Sequence, residues 1–267
     1  MTRFGLVFFS LATGLAPPQL GAYSPEKLFR RPVALAWTSD GLLAVANRDS
    51  GSVSLLNVKD RKVVGEFMVG KRLSSLCSLS GGRFLVATDE EASELLLLEP
   101  KGAMLEVQAR LAVPLSPVNV VVAKHGSFVV VASLWARRVS LIRVDMPQGE
   151  LSLVRVTDLP FPPRLQWMDS LGQKLILADA FSNKVAALSL PDLRLVSTRV
   201  LPGHNVGGIA LAPNGIDLLF SHQALNPYVP TVRPRVFWGS VMQNGLTSLA
   251  IKDFFDPTRP VNSPFAR

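Results

Sequence analysis

The chain has 267 residues, of which 48% are hydrophobic and 18% charged, and its formal net charge is +8. That balance excludes a disordered chain and suffices for one large domain. The charge permits acidic partners, anionic polymers or anionic membrane surfaces. No RNP-type strand, zinc-finger spacing or basic helix accompanies it, so nucleic acid is not an expected partner. A single cysteine, Cys77, excludes an intrachain disulfide, a thiolate zinc site and a C-x-x-C-H haem attachment.

The chain opens like an export signal. Arg3 precedes the apolar run FGLVFFSLATGLA at 4–16, which is too short for a comfortable bilayer span. Pro17-Pro18 breaks the run, and Leu20-Gly21-Ala22 offers small residues for cleavage before Tyr23. Residues 1–22 are therefore expected to be removed, leaving a periplasmic or secreted product. No later stretch is apolar for long enough to make a transmembrane helix.

Residues 23–31 are a polar lead-in. Short apolar strands follow at 32–37, 42–47, 52–58 and 62–69, joined by Asp40-Gly41, residues 48–51 and Lys59-Asp60-Arg61. This is a four-stranded antiparallel meander. It recurs at 74–113, 117–159 and 165–201. A fifth copy reads VGGIALA (206–212), IDLLFSH (216–222), a long insertion, RVFWGSVM (235–242) and LTSLAI (246–251). Each second strand follows a turn glycine: Gly41, Gly82, Gly126, Gly172 and Gly215, spaced by 41, 44, 46 and 43 residues. A period in the low forties with several strands per period predicts an all-β fold, a β-propeller of four-stranded antiparallel blades. Five repeats are visible. Residues 23–255 are assigned to the propeller, and 256–267 to the start of a further blade or a C-terminal tail. The ring is expected either to close with five blades or to be part of a seven-bladed one.

The second strands are the most uniformly apolar, as expected for strands buried on both faces. Third and fourth strands carry more charge and belong nearer the rim. Cys77 sits between Leu76 and Leu79 on a first strand, the position of a buried, inert thiol.

The segments LLAVANRDSGSVSLLNV and LILADAFSNKVAALSL resemble the YVTN-type repeat of bacterial surface-antigen propellers. Here the motif strand reads LAVAN at 43–47. The fifth repeat, with HNVGGIALAPNG (204–215), SHQALNP (221–227) and WGSV (238–241), is similar to exported propellers that precede a di-haem cytochrome c peroxidase-like domain. That resemblance implies a seven-bladed ring and a redox domain or protein as partner. The chain has no haem-binding motif of its own, so no cofactor is expected in it.

In such a meander, the loops entering each first strand and those joining second to third strands share one face. Arg48, Arg72, Arg137, Arg164 and Lys184 belong to these loops, as do the aromatics Trp135, Phe161 and Phe181. The basic residues make either a funnel for an anionic small molecule or acidic protein, or a solvated rim paired with Asp49, Asp89, Glu90, Glu91 and Asp179. The aromatics make either binding hot spots or a plug in the channel mouth. His204 and His222 fall on the same face of one blade and are expected to converge, near Asn205, Gln223 and Trp238. They either bind a ligand or hold the insertion by hydrogen bonds. With no third ligand beside them, no metal site is assigned.

No hydrolase, nucleotide or zinc-protease motif is present, so no catalytic residue is assigned. The reading is an exported binding module. The alternative is a propeller enzyme of the calcium-dependent lactonase type. Its calcium would need an Asn/Asp cluster, for which Asn47, Asp89, Asp179 and Asn183 are the candidates.

Overall fold

The computed structural model describes residues 29–256 apart from 124, 125, 170, 202 and 227. The expected export signal, the segment from 257 onward and His125 lie outside the described residues.

The protein is a β-propeller. The first sheet comprises β1 (Pro32–Trp37), β2 (Leu43–Asn47), β3 (Ser52–Asn57) and β4 (Lys62–Met68). The second comprises β5 (Leu73–Leu79), β6 (Phe84–Asp89), β7 (Glu94–Lys101) and β8 (Met104–Ala112). The third comprises β9 (Pro117–Val122), β10 (Phe128–Ser133), β11 (Arg138–Asp145) and β12 (Glu150–Asp158). The fourth comprises β13 (Pro163–Met168), β14 (Lys174–Asp179), β15 (Lys184–Ser189) and β16 (Arg194–Val200). Each is an antiparallel meander in chain order. All five turn glycines ahead of the second strands have φ between 68° and 82°. That left-handed conformation is why glycine recurs at this point of the repeat.

The fifth sheet departs from the expectation. It has three strands, β17 (His204–Leu211), β18 (Asp217–Leu225) and β19 (Met242–Ala250). The segment expected as its third strand, 235–242, instead belongs mostly to the insertion, and contributes to a helical turn, α1 (Arg233–Phe237). Pro234 sits in the first turn of α1, where its fixed φ starts a helix and its missing N–H costs nothing. The segment expected as the fourth strand, 246–251, lies in β19 except for Ile251, which begins the next helix. A short helix, α2 (Ile251–Phe255), then packs on β15 and β16. Phe254 of α2 packs at a tilt against Phe220 of β18 with centroids 5.5 Å apart.

The apolar faces pack between neighbouring sheets in four clusters. Second strands supply their centres: Val129, Val130, Val131 and Ala132 of β10 are all fully buried. Each such side chain contributes about 1.5–3 kcal/mol on leaving water, alanine less. First strands pack in succession, β1 on β5, β5 on β9, β9 on β13 and β13 on β17. Side chains also bridge them to neighbouring backbone. Ser78 donates to the Trp37 carbonyl (2.6 Å), Ser74 to that of Pro117 (2.6 Å) and Gln166 to that of Asn119 (3.0 Å). These bonds occupy carbonyls on the inner strand edges, which no further strand pairs. Among the described residues no comparable contact joins β17 to β1. Leu35 and Trp37 of β1 and Leu246 of β19 stay exposed.

Candidate functional site

The starts of the first strands and the loops after the second strands meet on one face, as the meander requires. They enclose a cavity of about 600 Å³. Arg48, Trp135, Arg164 and Phe181, singled out from the sequence, all line it. Glu90, expected among the carboxylates of the rim, lines it too, and two further groups were not anticipated: Arg31 and Asn119. Arg31 had a readable signal. It directly precedes β1, as Arg72 directly precedes β5.

The basic groups differ in their freedom. Arg48 is ion-paired to Glu90, and both side chains are mostly buried. Glu90 also accepts a hydrogen bond from the Ser116 hydroxyl (3.2 Å). Arg31 approaches Asp49 only at 3.9 Å and is largely exposed. Arg164 is exposed and has no ion-pair partner among the described residues. The cavity therefore holds three arginines against one carboxylate, and that carboxylate is already committed to Arg48.

Trp135 and Phe181 stack on each other, with centroids 5.6 Å apart and planes 26° from parallel. They come from the third and fourth sheets and remain about 60% exposed. This pair forms an apolar wall beside the arginines. Phe161 differs from the expectation: it is buried in the core between the third and fourth sheets and is not part of the wall.

Deeper along the same first strands lies a second cavity of about 520 Å³. Leu35, Trp37, Cys77, Val122, Trp167 and Met168 line it. The channel is thus charged at its mouth and apolar below. Cys77 donates its thiol hydrogen to the Val120 carbonyl (3.1 Å), and burial raises its pKa to about 11. It is a structural thiol at neutral pH.

The remaining sequence candidates lie outside this cavity. Arg72 and Arg137 are exposed on neighbouring loops, and Lys184 is exposed at the start of β15. The two histidines do not converge. His204 pairs across the sheet with Gln223, the residue after His222, so the two imidazoles leave opposite faces. Asn205 donates to the Gln223 side chain (3.1 Å). His222 is buried; its Nε2 lies 2.7 Å from the Thr247 hydroxyl, and its ring fills the space left by Gly203 and Gly245. Trp238 caps the C-terminus of α1, on the insertion, and is exposed.

The candidate calcium ligands close their own loops. Asp89 accepts from the backbone N–H groups of Lys71 (2.6 Å), Arg72 (3.1 Å) and Ala92 (3.1 Å). Asp179 accepts from the Phe181 N–H and the Ser182 hydroxyl. Asn47 donates to Ser52 and Ser54, and Asn183 to the Leu201 carbonyl. Asn47, Asp89 and Asp179 end equivalent second strands, so this is one loop-fixing position repeated around the propeller. No cluster of three or more metal-binding side chains occurs among the described residues.

No family model matches this chain, and neither does any curated protein. Solved structures do match. Hydrazine synthase of Kuenenia stuttgartiensis superposes with a TM-score of 0.70 at 19% identity, over 87% of this chain and 66% of that one. The periplasmic gluconolactonase PpgL of Pseudomonas aeruginosa gives 0.61 at 19% identity, over 82% of this chain and 73% of that one. Sqt1 of Saccharomyces cerevisiae gives 0.61 at 13%, over 73% and 58%. The fold is that of a β-propeller. The chain spans about two thirds of the length of the hydrazine synthase chain. At these identities the likeness carries the architecture and no activity.

Proposed function

We propose that the protein is an exported binding module that takes an anionic group, from a small molecule or a protein surface, at the channel mouth. The observation that carries this reading is the cavity where Arg31 and Arg164 stand beside the stacked Trp135–Phe181 pair with no carboxylate to spare. Arginine and exposed aromatics are the residues that most often dominate recognition energy. Export rests on the apolar run at 4–16 and the small residues before Tyr23. A redox domain or protein as the partner is suggested by the resemblance of the fifth repeat to propellers that precede a peroxidase-like domain.

The loop-closing bonds of Asn47, Asp89, Asp179 and Asn183 favour this reading over a calcium-dependent lactonase. Their side-chain groups already serve backbone or neighbouring hydroxyls.

Thermal unfolding in the presence of ligands tests the proposal. A short glutamate-rich peptide with one phenylalanine should raise the midpoint in proportion to RT ln(1 + [L]/Kd). Its glutamine counterpart should not. Equal shifts with both peptides, or none with either, would defeat the reading.

A further inference from the structure

The insertion between β18 and β19 spans residues 226–241. Its sequence NPYVPTVRPRVFWGSV contains two arginines, three aromatics and no acidic residue. The acid-free stretch runs from Leu218 to Lys252. Tyr228, Phe237 and Trp238 are 92%, 79% and 78% exposed, and Val232 and Val236 about half exposed. No residue of α1 is buried. Phe237 and Trp238 pack only edge-to-face, at 5.3 Å. The base of the arm is closed by the Asn226 N–H, which donates to the Val241 carbonyl (2.9 Å).

Large aromatic side chains held in water are costly unless something covers them. Three features identify the cover. Tyr and Trp carry a polar handle on an apolar body, which suits the headgroup level of a bilayer. Arg233 and Arg235 are exposed beside them, with no carboxylate to oppose attraction to lipid phosphate. The arm also emerges on the basic loop face, with Arg72, Arg137, Arg164 and Lys184, in a chain of net charge +8. We infer that residues 226–241 are an interfacial anchor that docks the loop face on an anionic phospholipid surface. The aromatics enter the headgroup layer and the arginines meet the phosphates. A partly inserted loop of this kind binds reversibly.

Vesicle flotation with the full-length mature chain tests this. Vesicles of phosphatidylglycerol and phosphatidylcholine should carry the protein up, and vesicles of phosphatidylcholine alone should not. Each basic residue near an anionic surface contributes about 1 kcal/mol, or roughly fivefold, so R233Q/R235Q should weaken partition about thirtyfold. F237S/W238S should abolish it. Because both side chains are exposed, its unfolding midpoint should match the parent, which separates lost docking from lost folding. Equal binding to both vesicle types, no flotation at all, or binding indifferent to the two double variants would each overturn the inference. Absence of flotation with retained peptide binding would point to a protein partner for the arm and leave the channel-mouth reading intact.

Discussion

Arg48, at the end of the first sheet's second strand, is ion-paired to Glu90 in the equivalent loop of the second sheet. Glu90 in turn accepts from Ser116 of the third sheet's entering loop. Three blades are thus tied at the channel mouth through one carboxylate. The pair is mostly buried, so its removal should cost more than an exposed pair and less than a fully buried one, about 2 kcal/mol. Urea unfolding of Glu90→Gln, Arg48→Gln and the double variant measures it. A coupling energy near zero would show that the blades do not depend on this contact.

His222 and His204 should separate cleanly on substitution. His222→Ala removes a buried ring hydrogen-bonded to Thr247 and opens a cavity between Gly203 and Gly245, at a cost of about 2–4 kcal/mol. His204→Ala should stay within about 0.5 kcal/mol, because the residue is exposed. Unfolding curves check both. A stable His222→Ala protein would contradict the structural role.

Cys77 gives a pH signature. Its folded pKa, about 11, stands above the ordinary value of 9.0 because burial disfavours the thiolate. Between those values the folded chain keeps a proton that the unfolded chain releases. Stability should therefore fall as pH rises from 9 towards 11, by at most about 1.4 kcal/mol per pH unit from this group. Cys77→Ala should remove that slope, and the native thiol should resist alkylation at pH 8. Rapid labelling of the folded protein would contradict the assignment.

Val130 lies at the centre of β10 with no exposure. Val130→Asp would place an unpaired charge between the third and fourth sheets and should abolish soluble expression. A normal yield would contradict the central-strand assignment.

Much of the fold was legible because its signals are local. A left-handed turn needs glycine, and a strand buried on both faces needs an unbroken apolar run, so Gly126 and FVVVAS mark their own places. The fifth sheet was less legible. RVFWGSVM has strand-like composition, but Pro230 and Pro234 precede it, and a helical turn forms there. Chain tracing also hid the face of each histidine, since a one-residue offset in a strand reverses the side chain. At the mouth, loop position identified Arg48, Trp135, Arg164 and Phe181. It did not reveal that Glu90 neutralises Arg48, leaving Arg164 unpaired among the described residues and Arg31 with only a loose contact to Asp49, because the Arg48–Glu90 pairing joins residues 42 apart in sequence. Phe161 looked like its aromatic neighbours in composition, and only packing between sheets buries it.

The central claim is that Arg31 and Arg164 give the channel mouth its affinity for anions. Isothermal titration of the glutamate-rich peptide into the wild type and Arg31→Gln/Arg164→Gln tests it most directly. The account predicts at least tenfold weaker binding in the variant, a loss of about 1.4 kcal/mol, with an unchanged unfolding midpoint. Equal affinity in the two proteins would contradict it.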